Sequence, residues 1–122
     1  MNIEEKIAFL KQCGVDVDTG IANMMDIETY NEIMDDFYAS IPEEMGKINN
    51  FKMQNDMPNY AILVHALKSN ARSFGFVKLG EIAYAHEMAS KASDINFVNE
   101  HYNELISAVN EVIDIIKKYK EM

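Results

Sequence analysis

Three histidines, His65, His86 and His101, are the residues of this chain best suited to nucleophilic or proton-transfer chemistry. An imidazole nitrogen can attack an electrophilic centre, move a proton or ligate a metal. Which of these is open to each histidine depends on the face of the helix that carries it. Residues 57–74 read as one helix, and at about 100° per residue Tyr60, Leu63, Val64, Leu67, Ala71 and Phe74 form one apolar stripe about 100° wide. His65 falls about 140° from Tyr60, nearly opposite that stripe. Lys68 and Arg72 lie on its side of the wheel, one and two turns on. The small residues Ala61 and Ser69 stand one turn before and after it, and the apolar Ile62 points outward. An open imidazole between two cations suits an anionic group held by charge-assisted hydrogen bonds. The wheel alone fits equally well an incidental histidine on a solvated basic face. His86 continues the stripe Leu79, Ile82, Ala83 and is expected to be a buried, hydrogen-bonded core residue. His101 flanks the seam of the last helix as a boundary residue.

The other residues with reactive potential add little. Cys13 is the one cysteine, so it has no partner for an internal disulfide, and it reads as a small residue near a helix end. Carboxylate-bridged metal bundles require Glu-x-x-His pairs. The residues three before the histidines are Ile62, Ala83 and Val98, so that chemistry is set aside and no metal site is expected. Gly-rich nucleotide loops and kinase motifs are lacking, so ATP chemistry is not expected of the chain.

The elements that must position His65 are helical. With 122 residues there is room for one domain, taken as 1–122, and 48% hydrophobic against 25% charged residues is globular composition. A short amphipathic helix carries Ile3, Ile7, Phe9 and Leu10 and stops at Gly14, followed by a turn-rich stretch over Val15–Met25. A long segment runs from Ile27 to Phe51, with Pro42 read as a kink in one helix rather than the start of a second. Asp56 and Pro58 open the helix of His65, which Gly75 ends with a left-handed cap. Ser93-Asp94 caps the last helix, whose seam Val98, Tyr102, Leu105, Val109, Val112, Ile116, Tyr119 alternates steps of 4 and 3. The expected fold is all-α: an antiparallel four-helix bundle with a short additional N-terminal helix.

The formal net charge is -9, which argues against nucleic acid and anionic membrane as partners. It is unevenly spread. Residues 1–60 hold 12 acidic and 4 basic side chains, whereas residues 61–92 hold two acidic (Glu81, Glu87) and four basic (Lys68, Arg72, Lys78, Lys91). An anion site belongs in that middle segment. No apolar run approaches the ~20 residues of a membrane span and no signal-peptide pattern opens the chain, so a cytoplasmic protein is expected. Met1 and the lack of a linker at either end give the expectation of a free-standing protein.

The stretch His65-Ala66-Leu67-Lys68-Ser69-Asn70-Ala71-Arg72-Ser73-Phe74-Gly75 resembles the signature H-x-L-K-G-x-(A/S)-x-x-x-G of the histidine-containing phosphotransfer (HPt) family. The resemblance extends over about residues 13–117. Gly14–Ile21 looks like the turn leading into the family's bundle, Asp26–Ile41 like its first long helix, and Lys78–Ala92 like the helix after the phosphorylated one. It implies that His65 is the phosphorylated histidine, that Lys68 neutralises the phosphoryl oxygens, and that Gly75 ends the helix. Ser69 stands where the family usually has glycine. The implied function is a phosphorelay intermediate, not an enzyme. His65 would accept a phosphoryl group from a receiver-domain phosphoaspartate and pass it reversibly to another receiver aspartate. Partners would be response-regulator receivers or the receiver of a hybrid histidine kinase. No cofactor would be bound by the chain itself, with Mg²⁺ supplied by the receiver, and a monomer would suffice. Arg72 is expected to assist Lys68, and Ala61, Ile62 and Ser69 to form the docking face. The alternative is a helical adaptor of the same fold that binds a signalling partner and is never phosphorylated.

Overall fold

Acidic and amide side chains start five of the six helices. The computed structural model describes residues 2–122, and within them runs α1 (Ile3–Gln12), α2 (Val17–Met24), α3 (Ile27–Met53), α4 (Met57–Phe74), α5 (Val77–Lys91) and α6 (Ile95–Glu121), with no strand among the described residues. Asn2, Asp16, Asp26, Asp56 and Asp94 each accept a hydrogen bond from a first-turn backbone N–H, satisfying a donor that the helix leaves free. Only α5, which follows α4 after two residues, starts without a side-chain cap.

The connections after α3, α4 and α5 are residues 54–56, 75–76 and 92–94. Links this short make successive helices fold back on one another. Helix α4 packs against α2, α3 and α5, and α6 against α3 and α5. The α6 residues Val98, Leu105, Val109, Val112, Ile116 and Tyr119 are all buried, as their alternating spacing requires. They meet Tyr30, Met34 and Ile48 of α3 and Tyr60, Val64 and Phe74 of α4 in one core. Helix α3 continues through Pro42, which has no N–H to offer the Tyr38 carbonyl one turn back.

The stretch Val15–Met25 corrects the sequence expectation, because it contains α2 rather than turns alone. Asp16 and Gly20 read as turn residues but serve other ends. The Asp16 carboxylate caps the helix through Thr19, accepting from its backbone N–H at 3.3 Å and its hydroxyl at 2.8 Å. Gly20 lets α2 approach α3 and α4 closely: a Cβ there would lie 2.6 Å from Tyr30 Cε2 and 2.7 Å from the Phe74 carbonyl oxygen. The Tyr30 hydroxyl donates to that same carbonyl at 2.9 Å. Gly75 follows with φ +92°, and a Cβ on it would run into the Asp16 carbonyl. Asp16 N–H in turn donates to the Gly75 carbonyl at 2.9 Å. The end of α4 is thereby clamped, which fixes the turn into α5.

Candidate functional site

That turn sets which residues of α4 and α5 face each other. In a tight helical hairpin, residues equally far from the turn lie level, each rising about 1.5 Å. His65 is ten residues before Gly75, and Glu87 is eleven after Phe76. The two meet: His65 Nδ1 and Glu87 Oε2 are 2.6 Å apart. Lys68, a turn along α4, donates from Nζ to Glu87 Oε1 at 2.6 Å. Lys91, a turn along α5, reaches Glu87 Oε2 at 2.9 Å.

Glu87 is the centre of the site, although in the sequence it reads only as one of two acids in a basic segment. Its side chain is 2% exposed, while those of His65 and Lys91 are 55% and 58% exposed. The carboxylate is therefore roofed by its own partners, just below the surface. Burial pushes its pKa up, but the hydrogen bonds from Lys68, Lys91 and His65 outweigh that and bring it down to about 2. It is ionised at neutral pH. Two signals could have found it: Glu87 lies on the buried stripe of α5 with Leu79, Ala83, His86 and Ser90, and it sits level with His65 across the predicted hairpin.

An ionised carboxylate only accepts hydrogen bonds. The proton of the neutral His65 ring therefore sits on Nδ1, and Nε2 keeps its lone pair on the half-exposed side chain. Such an arrangement can orient a nucleophile, fix its tautomer and set two ammonium groups close by.

The remaining predicted residues divide. Ile62 is 64% exposed, and Ser69 is exposed. Ala61, expected on the docking face, is buried at 6%, because the packing of α5 on α4 covers that edge of the wheel. Arg72, expected beside His65, has its guanidinium over the Tyr84 ring at 5.3 Å from the centroid, a cation–π contact. Gly80 makes room for it, since a Cβ there would lie 2.9 Å from Arg72 Cγ. The second cation on the site's carboxylate is Lys91. Gly75 ends α4 in the left-handed conformation as expected.

His86 is buried as expected, at 1% exposure. Its Nε2–H donates to the His101 carbonyl at 3.1 Å, leaving Nδ1 to accept the Tyr60 O–H at 2.9 Å. Both nitrogens are committed, and burial lowers the pKa, favouring the neutral ring. His101 is half-buried against Phe97, with ring centroids 4.3 Å apart, and pairs with Glu104 at 3.2 Å.

No helix among the described residues is long and apolar enough to cross a membrane. No curated protein and no solved structure matches the chain. A family model described as Hpt domain matches residues 32–114, from the first turns of α3 into the second half of α6, and so spans His65, Lys68, Glu87 and Lys91. Hpt domains are helical bundles that carry phosphoryl groups in two-component phosphorelays, interact with receiver domains, and are not kinases. A match over more than half of its length, on a helical bundle, means that this chain belongs to the Hpt domain family.

Proposed function

We propose that His65 Nε2 is the phosphoryl carrier. It takes the group from the phosphoaspartate of one receiver and passes it, reversibly, to the aspartate of another. The observation that carries this reading is the pairing of a half-exposed imidazole with a buried carboxylate on its far nitrogen. Such a pairing serves little purpose in a solvated surface histidine. It is what a nucleophile needs if attack is to come from one nitrogen only.

Lys68 holds Glu87 and adds positive potential where phosphoryl charge arrives; Arg72 on Tyr84 contributes to that potential from farther away. Ile62 and Ser69 form the docking face toward the receiver, whose own Mg²⁺ and aspartate would complete the reaction. The protein acts as a monomer in this reading, with nothing bound to it between transfers.

Incubation with phosphorylated receivers from the same organism, followed by acid and base treatment, tests the reading. Wild-type protein should acquire acid-labile, base-stable label, as a phosphoramidate does, and His65→Gln should acquire none while melting within a degree or two of wild type. Label persisting on His65→Gln would refute the assignment. A folded wild-type protein that binds a receiver but takes no label from any of them would favour the adaptor.

A further inference from the structure

Glu87 accepts from three donors, and the two lysines among them differ. Lys68 is 13% exposed and bound to Oε1. Lys91 is 58% exposed and bound to Oε2, the oxygen that also holds His65. Its ammonium and His65 Nδ1 can be no farther apart than the two contacts, 2.9 and 2.6 Å, laid end to end. A four-carbon stem, mostly in solvent, leaves Lys91 free to reach across the ring edge.

Charge counting gives that freedom a use. Two ammonium groups and one carboxylate leave the site with one positive charge in excess while the imidazole is neutral. In transfer, the Nε2 lone pair forms the N–P bond as the O–P bond of the aspartyl phosphate breaks, its electron pair leaving with the carboxylate. The proton on Nδ1 stays where it is. The ring gains one positive charge and the phosphoryl group carries two negative ones, so phosphohistidine is singly negative. That charge matches the excess.

Resting on the assignment of His65 as carrier, we propose that Lys91 is a phosphoryl-binding residue. Its ammonium passes from Glu87 Oε2 to the phosphoryl oxygens on Nε2, while Lys68 stays on Oε1 and keeps the carboxylate in place. The two lysines thus divide the work, one holding Glu87 and the other following the phosphoryl group.

Potassium phosphoramidate, a small donor that needs no receiver, supplies the test. The initial rate of His65 loading is measured at low ionic strength and neutral pH. Lys91→Gln should load about five- to tenfold more slowly, the size expected of one charged contact in a wet site. Lys91→Arg should recover to within about twofold, and the deficit of Lys91→Gln should shrink as salt screens it. Lys78→Gln, which removes an exposed lysine paired with Glu111, controls for overall charge and should load like wild type. Lys91→Gln is then repeated in a Glu87→Gln background. Direct contact predicts that the slowing persists there; a lysine acting only through Glu87 predicts that it vanishes. Loading of Lys91→Gln at the wild-type rate, or a slowing that disappears with Glu87, would overturn the proposal. Label on His65→Gln would instead overturn the carrier assignment beneath it.

Discussion

His86 and Glu87 are consecutive on α5, yet they belong to two networks of opposite character. One is the closed set Tyr60–His86–His101, in which every polar atom of the ring is used within the fold. The other is the set His65–Glu87–Lys68–Lys91, in which one nitrogen is held and the other remains available. The same side chain is fully bonded in the first and keeps one nitrogen free in the second. The difference is not its intrinsic basicity but whether a lone pair is left over. The closed network is neutral and built from a phenol, an imidazole and a backbone carbonyl. The open one is charged, and on the proposed reading that charge is what an approaching phosphoryl group meets.

The comparison is tested most visibly by removing the histidine of the closed network. His86→Ala should leave phosphorylation of His65 intact while destabilising the fold by about 1–3 kcal/mol, through lost packing and an orphaned Tyr60 hydroxyl. Chemical denaturation and labelling of the same sample check both parts. A His86→Ala protein that is as stable as wild type would place His86 outside the core's essential bonding.

Glu87→Gln should come next in size. An amide can donate as well as accept, so it no longer dictates which His65 nitrogen carries the proton. We expect the loading rate to fall by about tenfold, equivalent to ~1.4 kcal/mol. Unchanged loading would mean that the carboxylate serves Lys68 and Lys91 rather than the ring.

Acid titration of stability gives the finest discrimination. His86 has a lowered pKa when folded, so unfolding takes up a proton as pH falls below the ordinary 6.5, and the stability it contributes above that value is lost on going lower. Glu87 is lowered from the ordinary 4.5 to about 2, so its contribution is present above about pH 4.5 and is lost between there and pH 2. Stability against pH should therefore decline in two windows. His86→Gln should remove the upper decline and Glu87→Gln the lower. A wild-type curve flat from pH 7 to pH 5 would show that the buried histidine is not held neutral.

Much of this could be read in the sequence because it is local. Asp56, Asp94 and Gly75 mark helix ends by their own hydrogen bonds and backbone angles, and the α6 seam by its spacing. His65 stood out because a single helical wheel separates it from the stripe that buries Tyr60 and Phe74. What escaped was tertiary. The α2 stretch read as turns because the tight contact of Gly20 with Tyr30 and Phe74 involves residues far along the chain. Arg72 seemed to belong to His65 because the wheel of α4 cannot display Tyr84 of α5. Glu87 passed as one of two acids in a basic segment, although its place on the buried face of α5 already set it apart.

The adjacency of His86 and Glu87 also bears on how the bundle assembles. Successive residues of a helix point about 100° apart, so an α5 that docked one residue out of step could swing the imidazole out to the exposed place of Ala85 and carry the carboxylate into the Tyr60 pocket. A carboxylate left there without its two lysines would be strongly disfavoured. On the proposed reading Glu87 would both prepare the nucleophile and tell against a misregistered hairpin, and substitutions that neutralise it should loosen the fidelity of folding as well as the chemistry.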